Sequence, residues 1–170
     1  MPTSRTSRAP GRHRLFVALG AFLMIVSATV VGTAIPGGAT VAAKPAPRLK
    51  DPAATGRALS TEYLTILQRA DTKALAKFLD PAFQLQRADG SGADRTQYLA
   101  DPAKVVSFEI GPTVTARQHG DVLTVRWTVA SDQTINGVVQ RAGYAPRLST
   151  YRWSGTRWRL ISHGNFNLPA

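Results

Sequence analysis

Two side chains near the C-terminal end have the types and spacing for polar chemistry. His163 and Asn165 stand two residues apart on an alternating stretch, so both project from one strand face. An imidazole beside an amide can polarise or orient a carbonyl or hydroxyl. The simpler role is a histidine that satisfies neighbouring polar groups and closes the fold. Few acids could join them. Asp132 leads from a strand towards a loop, from which it can reach a cavity mouth. Glu109 alternates away from Phe108 and Ile110, and Asp89 belongs to the turn Asp89-Gly90-Ser91-Gly92. Tyr63 offers a phenol, on an apolar stripe that makes packing its first role and hydrogen-bond donation its second.

Other chemistries lack their residues. The chain has no cysteine, which removes disulfides, thiolate metal sites, a cysteine nucleophile and a lipid-modified thiol. Of its 3 histidines, His13 precedes the first apolar run and His119 lies in a turn far from a second nitrogen ligand, so no metal site is expected. Gly90-Ser91-Gly92 lacks nucleophile-elbow spacing, and no glycine-rich loop opens a helix as phosphate binding requires. No cofactor is implied. The formal charge is +11, but four of the 21 basic residues (Arg5, Arg8, Arg12 and Arg14) precede the first apolar run. The others are scattered singly. Nucleic-acid binding concentrates charge along one groove, so it is not expected here.

The N-terminus reads as an export signal. Arg5 to Arg14 is basic without an acid, Leu15 to Val31 is apolar, and Gly32 to Ala43 is rich in small residues. Val41-Ala42-Ala43 suits a signal peptidase, with cleavage before Lys44; His13 separates Arg12 from Arg14, so the signal is not twin-arginine. As an uncleaved helix, residues 15–31 would reach about 25 Å against a hydrocarbon layer of roughly 30 Å. They would then anchor the domain outside the membrane, with the basic N-terminus inside. The domain organisation is therefore 1–43 signal or anchor, 44–50 linker and 51–170 folded domain, in a secreted or extracytoplasmic location.

The elements that must position the polar residues follow in order. Asp51 can cap a helix with Pro52 at its first position, and Leu59, Tyr63, Ile66, Leu67 and Ala70 share a stripe on it. Asp71 can cap a second helix carrying Leu75, Phe78 and Leu79, closed by Asp80-Pro81. Residues 82–87 read as a strand, and Asp94 opens a small helix with Tyr98 and Leu99 that ends at Asp101-Pro102. From Val105 the period becomes alternating. Val106, Phe108, Ile110 and Val114 share a face, interrupted at Gly111-Pro112 by a bulge or edge.

After the turn at His119-Gly120-Asp121, Leu123, Val125, Trp127 and Val129 share a face. Asn136-Gly137 signals a two-residue hairpin, and residues 138–145 read as loop or frayed edge. In the last hairpin, a two-residue turn at Ser154-Gly155 or Gly155-Thr156 puts Tyr151 and Trp153 on the face of Trp158 and Leu160. Ile161 then falls on the other face with His163 and Asn165. Apolar residues on both faces make this a central strand.

Helices, a strand, a small helix and a long meander give an α+β layout. Residues 51 to 166 resemble the nuclear transport factor 2-like superfamily, particularly its SnoaL-like and ketosteroid-isomerase-like branches. The resemblance is carried by the Tyr63 helix, the 71–79 helix leading into Phe83, the Asp89-Gly90 turn, Trp127, and Trp158-Arg159-Leu160-Ile161-Ser162-His163-Gly164-Asn165-Phe166. It implies a cone, with a strongly curved antiparallel sheet wrapped around N-terminal helices and a mostly apolar pocket between sheet and first helix. It also implies a helical tyrosine, matched loosely by Tyr63, and a general base on the strand after the second helix. That strand offers Gln84, Gln86 and Arg87, none of them a carboxylate.

Three expectations follow. The first is an exported domain binding a small apolar or amphipathic ligand through Tyr63, Trp127, His163 and Asn165. The second is an isomerase, dehydratase or hydrolase using Tyr63, His163 and Asp132. The third is a cell-surface interaction module that self-associates as a homodimer through its sheet.

Overall fold

The computed structural model describes residues 44–135, 138–141 and 143–166, with side chains for all but 133–141 of these. Residues 1–43, expected as an export signal or anchor, and Asn136-Gly137, expected as a hairpin turn, lie outside the described residues. Among the described residues no helix is long and apolar enough to cross a membrane.

Helix α1 (Pro52–Gln68) starts where its cap requires, with the Asp51 carboxylate accepting the Ala54 N–H. Tyr63, Leu64 and Leu67 are buried on its inner face. Ala70 is not part of the buried stripe. It is exposed and left-handed (φ 52°), and it closes the helix through Ala70 N–H to Leu67 and Asp71 N–H to Ile66. Asp71 caps α2 (Thr72–Phe78). Strand β1 (Leu79–Gln86) begins before Asp80-Pro81 instead of after it. The reason is Asp80, which is 3% exposed and ion-paired with Arg152 at 2.7 Å, so that the Pro segment is held as an irregular part of the strand. Strand β2 (Gly92–Asp94) pairs with β1, and Asp94 caps α3 (Arg95–Ala100) in a reciprocal box with Gln97.

The remaining strands are β3 (Lys104–Ile110), β4 (Thr115–His119), β5 (Val122–Ile135), β6 (Val138–Arg141), β7 (Ala145–Trp153) and β8 (Trp158–Asn165). They form one sheet with β1 and β2, in the order β2-β1-β8-β7-β5-β3, with β4 and β6 also paired to β5. The 14-residue β5 is the spine. Along one edge it pairs with β4 and then β3, and along the other with β7 and then β6. Residues 138–145, expected as loop or frayed edge, supply β6, which pairs with β5 alone, and the start of β7. The sheet is antiparallel except where β1 runs parallel to β8. Helix α1 packs on β3, β4 and β5, which gives the α+β cone its filling.

Two bulges change which side chains face inward. Pairing slips between Val105 and Ser107, so Val105 is buried and Val106, expected on the core face, is 70% exposed. On β8 the register begins as a Gly155-Thr156 turn requires, with Trp153 opposite Trp158 and Tyr151 opposite Leu160. It then slips by one, so that Ile161 is the extra residue and Ser149 stands opposite His163. Strand β8 lies between β1 and β7, a central position.

Residues 44–50 carry no helix or strand, yet they are tied to the domain. Trp153 Nε1 donates to the Lys44 carbonyl, Gln118 Nε2 donates to the Pro47 carbonyl, and the Leu49 N–H donates to Gln118 Oε1, each at 2.9 Å.

Candidate functional site

Unbroken alternation would have set His163 against the face of Leu160. The extra residue at Ile161 reverses that parity and brings both inward. His163 is 5% exposed, its ring edge-on to Tyr63 (centroids 5.2 Å) and 5.9 Å from Trp127. Its Nδ1 lies 2.9 Å from Ser149 Oγ, which also accepts the Trp127 indole N–H at 3.0 Å. One ring nitrogen is thus committed to Ser149 in either tautomer. Burial, followed by the charge of Arg147, pushes the imidazole pKa down to about 3. The ring is neutral across the physiological range.

Tyr63 and Tyr98 are both buried, and their hydroxyls share a hydrogen bond of 2.7 Å. Burial raises both phenols, Tyr63 well above its ordinary value and Tyr98 to about 12. Neither ionises near neutrality, so both act as hydrogen-bonding groups and not as bases.

These residues surround a cavity of about 20 Å³, room for roughly one water. Tyr63, Tyr98, Trp127, Ser131, Arg147, His163 and Asn165 supply its polar lining, and Leu64, Leu67, Leu85 and Val129 its apolar wall. Arg87, Ala103 and Asn165 are only half-buried and flank the opening. The Asn165 side-chain oxygen is buried without a hydrogen-bond partner. Among the described residues no Asp or Glu belongs to this lining.

Four residues named from the sequence, Tyr63, Trp127, His163 and Asn165, therefore meet at one cavity. Asp132 does not. It is exposed and accepts from Ser107 Oγ at 3.3 Å, because the alternation that turns Ser131 inward turns Asp132 outward. Glu109 is likewise exposed, taking the Tyr144 hydroxyl proton into a hydrogen bond, and Asp89 accepts from Ser91 within its turn. Sequence reasoning missed Arg147, Ser149 and the second phenol at Tyr98. Counting back by twos from Tyr151 along β7 gives Ser149 and Arg147 on the inward face. That signal was hidden by reading the preceding residues as loop.

Without an acid, and with a histidine held neutral, the site lacks a proton acceptor suited to general-base work near neutrality. What it can do is offer hydrogen bonds and a positive charge to a ligand's oxygen atoms.

No protein-family profile matches the sequence, and no curated relative does. Solved structures do match. An NTF2-like protein from Cytophaga hutchinsonii superposes with a TM-score of 0.61 at 12% identity, covering 68% of this chain and 97% of its own. The chain has the NTF2-like fold. An NTF2-like protein of unknown function in nutrient uptake from Rhodospirillum rubrum gives 0.57 at 14% identity, over 70% of this chain and all of its own (100%). An uncharacterised protein with a cystatin-like fold from Caulobacter vibrioides gives 0.56 at 16% identity, over 70% and 92%. At these identities the likeness concerns the NTF2-like scaffold alone, and the cavity residues carry the functional argument.

Proposed function

We propose that this NTF2-like domain is an exported binder of a small amphipathic ligand, whose polar end enters the cone cavity. The observation that carries this reading is the convergence of Tyr63, Tyr98, His163, Asn165 and Arg147 on one cavity with no acid among its lining residues. Hydrogen-bonding groups gathered without a base suit recognition better than proton transfer. The lining also favours an amphipathic ligand over a wholly apolar one. Burying these polar groups against hydrocarbon would leave Asn165 still unpartnered, at a cost of about 1–3 kcal/mol.

The test is mass spectrometry of small molecules retained by the purified protein. Ala103 is half-buried at the opening, where an indole would obstruct entry without replacing a core residue. The protein should retain a discrete ligand that Ala103→Trp loses. Equal retention by both would overturn the reading.

A second reading rests on the outer face of the sheet, where exposed Leu148 and Phe166, with Tyr144, border an open groove. Such an apolar face suits self-association through the sheet. Sedimentation equilibrium tests it, and a monomer at micromolar concentration would remove it.

A further inference from the structure

Arg147 is a largely buried charge with no counter-ion among the described residues. It is 7% exposed on the inward face of β7. Its Nη1 donates to the backbone carbonyls of Pro146 (2.8 Å) and Phe166 (3.3 Å). Among the described residues Nε and Nη2 make no hydrogen bond, and no carboxylate lines the cavity beside them. The same fold treats its buried acid differently, since Asp80 receives two hydrogen bonds from Arg152. Carbonyl oxygens satisfy some of the guanidinium's five N–H donors, but they bring no negative charge. Withdrawing a cation from water without an anion costs several kcal/mol. Burial pushes the guanidinium pKa down to about 10, and the group stays charged at neutral pH.

Building on the cavity reading above, we infer that the ligand's polar end is a carboxylate. It docks on the unpaired edge of Arg147, with the Tyr63–Tyr98 hydroxyl pair beside it. Charge selects this anion. One buried guanidinium matches one negative charge, because the other cation of the lining, Arg87, is only half-buried at the opening and is screened by water. Leu64, Leu67, Leu85 and Val129 set an apolar wall beside the carboxylate's own carbon. The ligand class is therefore a small amphipathic carboxylic acid.

Calorimetric titration of protein purified from cells expressing the full chain tests this, with octanoate, 1-octanol and octyl phosphate as probes. Octanoate should bind at least about tenfold tighter than 1-octanol, the effect of one charge-assisted hydrogen bond or more. Arg147→Met should remove that advantage, bringing the octanoate and 1-octanol affinities together. It should also raise the Tm of the ligand-free protein, because it deletes an uncompensated buried charge. Arginine acting only as a clasp on the two carbonyls would give the opposite Tm change and overturn the assignment. The comparison of octanoate with 1-octanol needs no variant. Equal affinities, tighter binding of octyl phosphate, or no octanoate binding each overturn the carboxylate inference. Failure of the cavity reading is distinguishable, since octanoate would then bind Ala103→Trp as tightly as the unsubstituted protein.

Discussion

Burial and the nearby guanidinium of Arg147 keep His163 from taking a proton in the folded state, whereas in the unfolded chain it titrates near its ordinary value of 6.5. The sign of the resulting pH dependence follows from proton counting. Between pH 6.5 and about 3 the unfolded state binds a proton that the folded state refuses, so stability falls as pH falls. The contribution is fully present above about pH 6.5 and is lost progressively down to about pH 3, a total on the order of 5 kcal/mol. Denaturant unfolding measured across that range should show the loss. His163→Gln should flatten this part of the curve while lowering stability at neutral pH through its lost contacts with Ser149 and Tyr63. An unchanged slope would mean that the histidine titrates normally in the fold. Residue type and position identified His163 as the central polar group, but its inward orientation was legible only in the register of its neighbours.

Helix α1 inverts the usual placement of its two smallest residue types. Gly56 lies within the helix, where a Cβ would fall 2.8 and 2.9 Å from the two Val125 methyl carbons. Ala70 occupies the left-handed position just past the end, where glycine is preferred. Gly56→Ala should destabilise by about 1–2 kcal/mol, because overpacking against β5 outweighs a helix-propensity gain of about 1 kcal/mol. Ala70→Gly should stabilise by about 0.5–1 kcal/mol by relieving the positive φ. Chemical denaturation of the two variants checks the opposite signs. These elements also show what the sequence could disclose. The helix starts at Asp51, Asp71 and Asp94 were legible because capping is local chemistry. Inward-facing residues were legible on uninterrupted strands such as β5, where Leu123, Val125, Trp127 and Val129 are all buried. Parity was lost at Val106 and Ile161, because a bulge is set by the partner strand and leaves no fixed mark in its own residues. Asp80 was hidden for the same reason, since its partner Arg152 is 72 positions away.

At the scale of the whole molecule, residues 44–50 decide where the functional chain has to begin. Lys44 and Pro47 accept hydrogen bonds from Trp153 and Gln118, Leu49 donates one back, and Ala46 and Leu49 pack against the core. These contacts join the segment before α1 to the ends of β4 and β7. Export with cleavage before Lys44, as proposed, would leave every one of these bonds in place. A chain starting at Asp51 would keep all helices and strands but lose the three hydrogen bonds and the burial of Leu49. Each bond is worth about 1 kcal/mol net, and ordering seven residues offsets part of that, so a loss of about 1–2 kcal/mol is expected. Thermal unfolding of chains beginning at Lys44 and at Asp51 should therefore show a lower Tm for the shorter one. Its tryptophan emission should also shift to the red as Trp153 loses its cover. Equal Tm values would make residues 44–50 a passive tether, and the start of the domain could then be placed at the Asp51 cap.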